Sequence, residues 1–292
     1  MPIILASKLD RTIIQMPISK QTYLTAWAPF KKFCGTYLTT PDPWANQHTQ
    51  CIRGSFLNDA VLVEFRSAYG KRFVRYTLLP ARLKAAEFEA FAHKSAALGI
   101  AEYKNVLAHG YLREFEIAVD YVSKHTKDYL FYRHGVHSGK HVKGTLQAAG
   151  TYYQGAVTSD LQTCAYNKGT QLKEKGLSCP FPELLRVEAK FRHREIKVSE
   201  LATVPNPFAK MLICSLHDLH KAYHPEPAIW QAFLARSAAL GVSTALSTVP
   251  SKYRQQVRAT LKQHCAPWWK PETLMIGFAE RAAKQLRFDL SG

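Results

Sequence analysis

The chain is short of acid. Its 292 residues carry 22 Asp and Glu against 39 Lys and Arg, a formal net charge of +17 with a pI near 9.6. That balance argues against a cationic partner and for a polyanionic one. Long apolar runs are also missing: nothing approaches the ~18 residues a membrane-spanning helix requires. The opening stretch from Met1 to Asp10 is broken by Lys8 and Asp10 before a signal-peptide core can form. No membrane partner is expected, and the cell compartment expected is the cytoplasm. The six cysteines (34, 51, 164, 179, 214 and 265) contain no CxxC pair and are irregularly spaced. They are expected to be reduced packing residues, with neither a disulfide framework nor a cysteine-built zinc site.

What is present is a large supply of core. Hydrophobic residues make up 47% of the chain and aromatics 12%, which rules out a disordered polycation. The length suits one large domain or two moderate ones. The cations are spread along the whole chain rather than gathered in a tail, as expected of a folded surface that lies along phosphates.

Residues 1–60 show little periodicity and several turn formers, including Pro41-Asp42-Pro43. Val61–Arg66 and Arg72–Leu79 flank Ser67-Ala-Tyr-Gly-Lys71, a hairpin pattern, and Pro80 ends the second strand. A helix should follow to about Leu98, stopped by Gly99. Leu112 to Tyr121 alternates as a strand, with Phe115, Ile117 and Val119 on one face and Glu114, Glu116, Ala118 and Asp120 on the other. Tyr129–Tyr132 is expected as its hairpin partner, and 134–150 as a long loop. Strands are expected over Leu161–Lys168, where Gln162, Cys164, Tyr166 and Lys168 share a face, and over Leu184–Arg192, where Arg186, Glu188, Lys190 and Arg192 do. Beyond Phe208 helices are expected over roughly 208–222, 228–240, 250–264 and 272–287, jointed by prolines. The fold class is therefore α+β: an antiparallel-sheet core over 1–205 and a helical C-terminal module over 206–292. The match between Phe88-Glu-Ala-Phe…Ser-Ala-Ala-Leu-Gly99 and Trp230-Gln-Ala-Phe…Ser-Ala-Ala-Leu-Gly241 raises a duplicated strand–strand–helix unit.

The chemistry-bearing residues gather on those strands. Glu116, Asp120 and Glu188 offer carboxylates that a divalent ion such as Mg²⁺ or Mn²⁺, or an arginine, would hold together; lysine-paired solvated faces are the alternative. Tyr166 is the nucleophile candidate, with Lys168 beside it and Tyr152 and Tyr153 as rivals; its ordinary pKa near 10 makes it a poor nucleophile unaided. Arg186, Lys190, Arg192, Lys140 and Tyr153 are candidate nucleic-acid contacts, the tyrosine by stacking on a base. His134, His137 and His141 match no recognised ligand spacing. His217, His220 and His224 are expected on one helix face, serving contact rather than zinc. Lys252, Arg254, Arg258 and Lys262 suit a helix against phosphates and equally a solvated helix. Trp268-Trp269 is expected in a core or interface.

Three blocks resemble the replication initiation factors of rolling-circle plasmids and filamentous phages, of the trans-acting type without the His-hydrophobic-His motif. They are Glu116-Ile-Ala-Val-Asp120; Thr151-Tyr-Tyr-Gln-Gly155 with Ser159 and Ala165-Tyr-Asn-Lys-Gly169; and Arg186-Val-Glu188. With the hairpin ending in Leu79-Pro80-Ala-Arg-Leu83, which is also similar, they cover roughly residues 60–200. The resemblance implies metal-dependent nicking of one DNA strand at an origin by a tyrosine that stays joined to the 5′-phosphate. Carried over, Tyr166 is the nucleophile, Lys168 balances phosphate charge, and Glu116, Asp120 and Glu188 hold Mg²⁺ or Mn²⁺. The chain departs from the family pattern with Glu116 for Asp, Glu114 for Arg and Asn167 for Asp. The implied partners are origin DNA, single-stranded or supercoiled, and host helicase and replication proteins in a bacterial cytoplasm, with a dimer among the assemblies considered. Two other readings remain: an origin-binding regulator without catalysis, and an RNA-binding protein with a stacking platform.

Overall fold

The computed structural model describes residues 3–37, 49–123, 125–144, 150–179, 181 and 183–289. Pro41-Asp42-Pro43 and residues 145–149 of the expected loop lie outside them. The chain opens with β1 (Ile3–Ile4), β2 (Lys8–Pro17) and helix α1 (Lys20–Tyr37), followed by β3 (Thr49–Phe56). Regular structure here corrects the expectation of little periodicity. β2 is buried on both faces, so it shows no alternation. In α1, Tyr23, Trp27, Phe30 and Cys34 recur at helical spacing, but Pro29 sits in the middle of the helix and reads as a breaker.

β4 (Val61–Ala68) and β5 (Lys71–Leu78) form the expected hairpin. Their two-residue turn, Tyr69-Gly70, has φ of 50° and 77°, the left-handed geometry that matches the twist of the flanking strands. Next come α2 (Ala85–Lys94) and a 3₁₀ segment over Ser95–Ala101 in which Gly99 takes φ 56°. α3 (Tyr103–His109) and β6 (Tyr111–Val122) follow, then β7 (Tyr129–Arg133), β8 (Gly139–Val142), β9 (Thr151–Gln154), β10 (Leu161–Asn167), α4 (Lys168–Glu174), β11 (Leu184–Phe191) and β12 (Ile196–Lys197). The C-terminal stretch holds β13 (Met211–Ser215), α5 (Leu216–Lys221), α6 (Pro227–Leu240), α7 (Val242–Thr248), α8 (Ser251–Gln263) and α9 (Phe278–Leu286). The class is α+β, and every strand pair with a resolved register is antiparallel. Among the described residues, no helix is long and apolar enough to cross a membrane.

The chain forms two compact units. One comprises Lys8–Ile117, Phe191–Val204 and Gly277–Gly292. Its strands run β3-β4-β5-β2 and then the first half of β6. Val63, Phe65, Val74 and Tyr76 are fully buried, and Phe65 stacks between Tyr23 (4.7 Å) and Phe30 (4.6 Å) of α1. Each such ring contributes ~1.5–3 kcal/mol through burial.

The other unit comprises Met1–Ser7, Ala118–Lys190 and Pro205–Ile276. Its strands run from the second half of β6 through β11, β10 and β9 to β8. β7 was expected to pair with β6 but pairs with β13, Leu130 opposite Cys214. A 3₁₀ turn at Thr126–Asp128 separates β7 from β6. The same pairing replaces the first half of the helix expected over 208–222 with a strand, because Met211, Ile213 and Cys214 are buried. Trp230, Phe233, Leu246, Val257 and Leu261 pack with Leu130, Tyr132 and Cys214 as one apolar cluster.

Side-chain alternation gives the β8–β9–β10 sheet two unlike faces. On one, Tyr152 is buried and lies against Gly139 and Gly241, while Gln154 donates to the Phe131 carbonyl at 3.1 Å. On the other, Lys140 stands opposite Tyr153 and Tyr153 opposite Cys164. The repeated sequences have matching environments: Phe88, Phe91 and Ser95 are buried in one unit, Trp230, Phe233 and Ser237 in the other. Gly99 (φ 56°) and Gly241 (φ 84°) end each copy.

The two glycines differ in surroundings. A Cβ at Gly241 would overlap the Tyr152 ring, whereas one at Gly99 meets nothing within 4 Å. Gly241→Ala is expected to destabilise by more than about 2 kcal/mol, and Gly99→Ala by about 1 kcal/mol, the positive-φ cost alone. Urea denaturation of the two variants checks this; equal losses would refute the packing account.

Candidate active site

β10 carries Tyr166 and its neighbour β11 carries Arg186 and Glu188, both strands largely buried. Tyr166 is 7% exposed and its hydroxyl donates to Glu188 Oε1 at 2.5 Å. The Cys164 thiol lies 3.6 Å from the other Glu188 oxygen. Burial, and next the Glu188 carboxylate, push the Tyr166 phenol well above its ordinary value, with Arg186 acting in the opposite direction. At neutral pH the phenol therefore keeps its proton and holds it toward Glu188.

Lys168 lies just past the strand, as the first residue of α4. Asn167 caps that helix by accepting from Thr170 N at 2.9 Å and donates to Thr126 Oγ1 at 3.1 Å. Asn167 thus serves as the N-cap. The Lys168 ammonium is 5.7 Å from the Tyr166 ring centroid and 2.8 Å from Gln171 Oε1. Tyr166, Lys168 and Glu188 are therefore brought together as expected.

The three carboxylates are not gathered into one cradle. Asp120, on β6, accepts two hydrogen bonds from Arg186, at 2.6 Å from Nε and 2.9 Å from Nη2, and both side chains are almost fully buried. Arg186 Nη1 is 3.6 Å from Glu188 Oε1. Glu116 falls in the other compact unit, 4.0 Å from Arg11, which also meets Glu114 at 3.7 Å. Among the described residues no group of three or more His, Cys, Asp or Glu is placed to hold a metal ion. With both Asp120 oxygens on a guanidinium, these residues do not fit the three-carboxylate site that the resemblance implies.

Of the nucleic-acid candidates, Lys140 and Tyr153 share the Tyr166 face of the sheet, Lys140 exposed and Tyr153 half-buried. Lys190 is half-buried on β11, and Arg192 belongs to the other unit. Arg186 points inward to Asp120 rather than outward. Tyr152, the rival nucleophile, is enclosed on the opposite face, 4.8 Å from the His141 ring. His217, His220 and His224 do not share a helix face, because α5 ends at Lys221. His224 instead stacks on Trp230 at 5.2 Å and accepts from Glu226 N at 3.1 Å. Trp269 is buried and donates to the Met211 carbonyl at 2.7 Å; Trp268 packs on Tyr121 and Tyr129. The Asp120–Arg186 pair was missed by sequence reasoning, though the shared strand face that reasoning assigned to Glu116 and Asp120 left an arginine as one possible partner.

No protein family matches the chain, and no curated protein is similar to it. Among solved structures, it is similar to a rolling circle replication initiator protein from Geobacillus stearothermophilus, with 11% identity and a TM-score of 0.40 over 82% of this chain and 98% of that one. A likeness of that size gives no residue correspondence.

Removing Asp120 takes from the buried Arg186 guanidinium the carboxylate that accepts from its Nε and Nη2. Asp120→Ala is expected to destabilise by about 3–5 kcal/mol, read by urea denaturation; a loss below ~1 kcal/mol would show the pair to be dispensable. Tyr166 also predicts an alkaline effect. Its folded pKa lies above the unfolded value near 10, so its stabilisation is complete below pH ~10 and is lost as pH rises further. Tyr166→Phe should make the fall of unfolding free energy above pH 10 shallower by up to ~1.4 kcal/mol per pH unit. Unchanged slopes would mean that Tyr166 ionises as freely in the folded state as in the unfolded one.

Proposed function

We propose that the chain is a DNA strand-nicking and joining enzyme that starts rolling-circle replication, with Tyr166 as its nucleophile. The observation that carries this is the Tyr166 hydroxyl held 2.5 Å from Glu188 Oε1, on the sheet face that also carries the exposed Lys140, in a protein of net charge +17. The order of its motifs, which resembles that of the trans-acting initiators, supports the same reading. A protein that only binds DNA has no use for a carboxylate aimed at a phenol inside a cationic surface.

The chemistry follows from the pair. Tyr166 Oη attacks the phosphorus of a phosphodiester while its proton passes to Glu188 as general base. The bond from phosphorus to the 3′ oxygen breaks, that oxygen takes up a proton from the Glu188 carboxyl, and a free 3′-OH is released. The 5′-phosphate remains esterified to Tyr166, and rejoining is the reverse. Since the phenol is disfavoured as a free phenolate, proton transfer accompanies attack rather than preceding it. Arg186, anchored by Asp120, positions Glu188, and Lys168 lies where it offsets phosphate charge. Tyr153 and Lys140 extend the same face toward the flanking strand, by stacking and by charge. The 3′-OH would prime synthesis, with host helicase and replication proteins as downstream partners. Dependence on Mg²⁺ or Mn²⁺ belongs to this proposal as a requirement to be measured, and no step is routed through it.

The test uses supercoiled DNA carrying the native origin, with Mg²⁺, with Mn²⁺ and with chelator. Wild type should give nicked product and a covalent adduct mapping by mass spectrometry to Tyr166. Tyr166→Phe should bind DNA and give neither product. Glu188→Gln should slow nicking about 10²–10⁴-fold. An adduct on Tyr153 would overturn the nucleophile, and tight origin binding without nicking in either metal would leave an origin-binding protein.

A further inference from the structure

From Pro227 to Pro271 the chain contains no Asp or Glu but six Lys and Arg. This stretch is α6, α7 and α8 with their joints, three helices whose inner faces belong to the apolar cluster around Trp230 and Val257. α8, Ser-Lys-Tyr-Arg-Gln-Gln-Val-Arg-Ala-Thr-Leu-Lys-Gln, buries Val257, Thr260 and Leu261. Lys252, Gln255, Ala259, Lys262 and Gln263 are exposed, and their spacing of three and four places them along one outward stripe.

The other two cations of this helix are turned inward. Arg254 donates from Nε to the Val249 carbonyl at 2.8 Å and from Nη2 to the Ser247 carbonyl at 2.9 Å, closing the C-terminal end of α7. Arg258 is half-buried, with its Nε enclosed. The four-cation phosphate helix expected from the sequence is thus a helix with two outward lysines and an outward glutamine pair, fixed to α7 by arginine.

We infer that α8 is a reading helix for duplex DNA, entering the major groove with Gln255 and Gln263 toward base edges and Lys252 and Lys262 toward phosphates. The inference rests on the reading that the chain acts on DNA, and goes beyond it by giving origin recognition to an element separate from Tyr166. α8 carries no acid of its own, Glu226 being a carboxylate that acts on Lys252 from outside it, and a helix of this balance complements a polyanion. A 13-residue helix is about 20 Å long and ~10–12 Å wide with its side chains, which the ~12 Å major groove of B-form DNA admits. Glutamine forms paired hydrogen bonds with adenine edges, and a small residue such as Ala259 suits contact with a thymine methyl.

The experiment takes the full chain and a fluorescent 30-base-pair duplex selected by the wild type from a random-sequence library. Binding is compared with a scrambled duplex of the same length, and competed with duplex RNA of the selected sequence. Gln255→Ala/Gln263→Ala should lower the preference for the selected over the scrambled duplex by about ten-fold or more. Lys252→Ala/Lys262→Ala should weaken binding to both alike and reduce the slope of log affinity against log salt by about 2. Duplex RNA should compete poorly, because its deep, narrow major groove excludes a helix. Circular dichroism and thermal melting confirm that each variant is folded. Unchanged preference and salt slope in the folded variants would overturn the assignment, as would equal competition by duplex RNA. Wild-type nicking measured beside duplex selection separates the two readings. Duplex selection that persists where no wild-type nicking occurs sinks the nickase alone; nicking by a wild type whose duplex binding ignores α8 sinks the reading helix alone.

Discussion

The buried ion pair between Asp120 and Arg186 is the constraint on which the site depends. Each charge alone would be strongly disfavoured on these enclosed strands. Together they satisfy both carboxylate oxygens with two guanidinium nitrogens. Such fork geometry admits little displacement, so the pair holds β6 and β11 in one relative register. The remaining guanidinium nitrogen faces Glu188, and Glu188 faces the Tyr166 hydroxyl. A packing requirement on two strands thereby becomes the positional accuracy of the Glu188 carboxylate on the Tyr166 phenol. Asp120, which a family pattern would assign to a metal, acts through an arginine.

The second organising fact is the division of labour between sheet faces. Tyr152 and Gln154 are buried on one face, while Lys140, Tyr153, Cys164 and Tyr166 occupy the other. The apolar helices that follow have Trp230 and Phe233 in their core. On the second face Cys164 and Tyr166 are buried beside Glu188, while Lys140 is exposed.

Much of this was legible in the sequence, and the misses share a cause. Period-two alternation was enough to set Tyr166 on one face of its strand and Glu188 among cations on another. Hairpin chemistry at Tyr69-Gly70 and the stops at Gly99 and Gly241 were equally local signals. What alternation cannot supply is register between strands distant in sequence. Hence Arg186 was taken as a DNA contact when it faces Asp120, 66 residues earlier. β7 was paired with its neighbour in sequence when its partner is Met211–Ser215. The helix α1 had apolar spacing to announce it, and an interior proline to hide it. Lys168 was assigned to a strand that ends one residue before it, yet the cap on Asn167 keeps its ammonium beside the tyrosine.

The adjacent tyrosines of β9 carry a consequence for how this segment can change. Tyr152 is sealed against Gly139 and Gly241, and Tyr153 stands on the face that carries Tyr166. Because the side-chain period of a strand is two, adding one residue upstream within β9 would bring Thr151 to the slot against Gly139 and Gly241 and carry Tyr152 to the opposite face, whereas deleting one would bring Tyr153 into the slot and leave Gln154 in its place. In either case Gln154 changes face and loses its bond to the Phe131 carbonyl. Length in this strand is therefore under stricter constraint than the identity of any one residue.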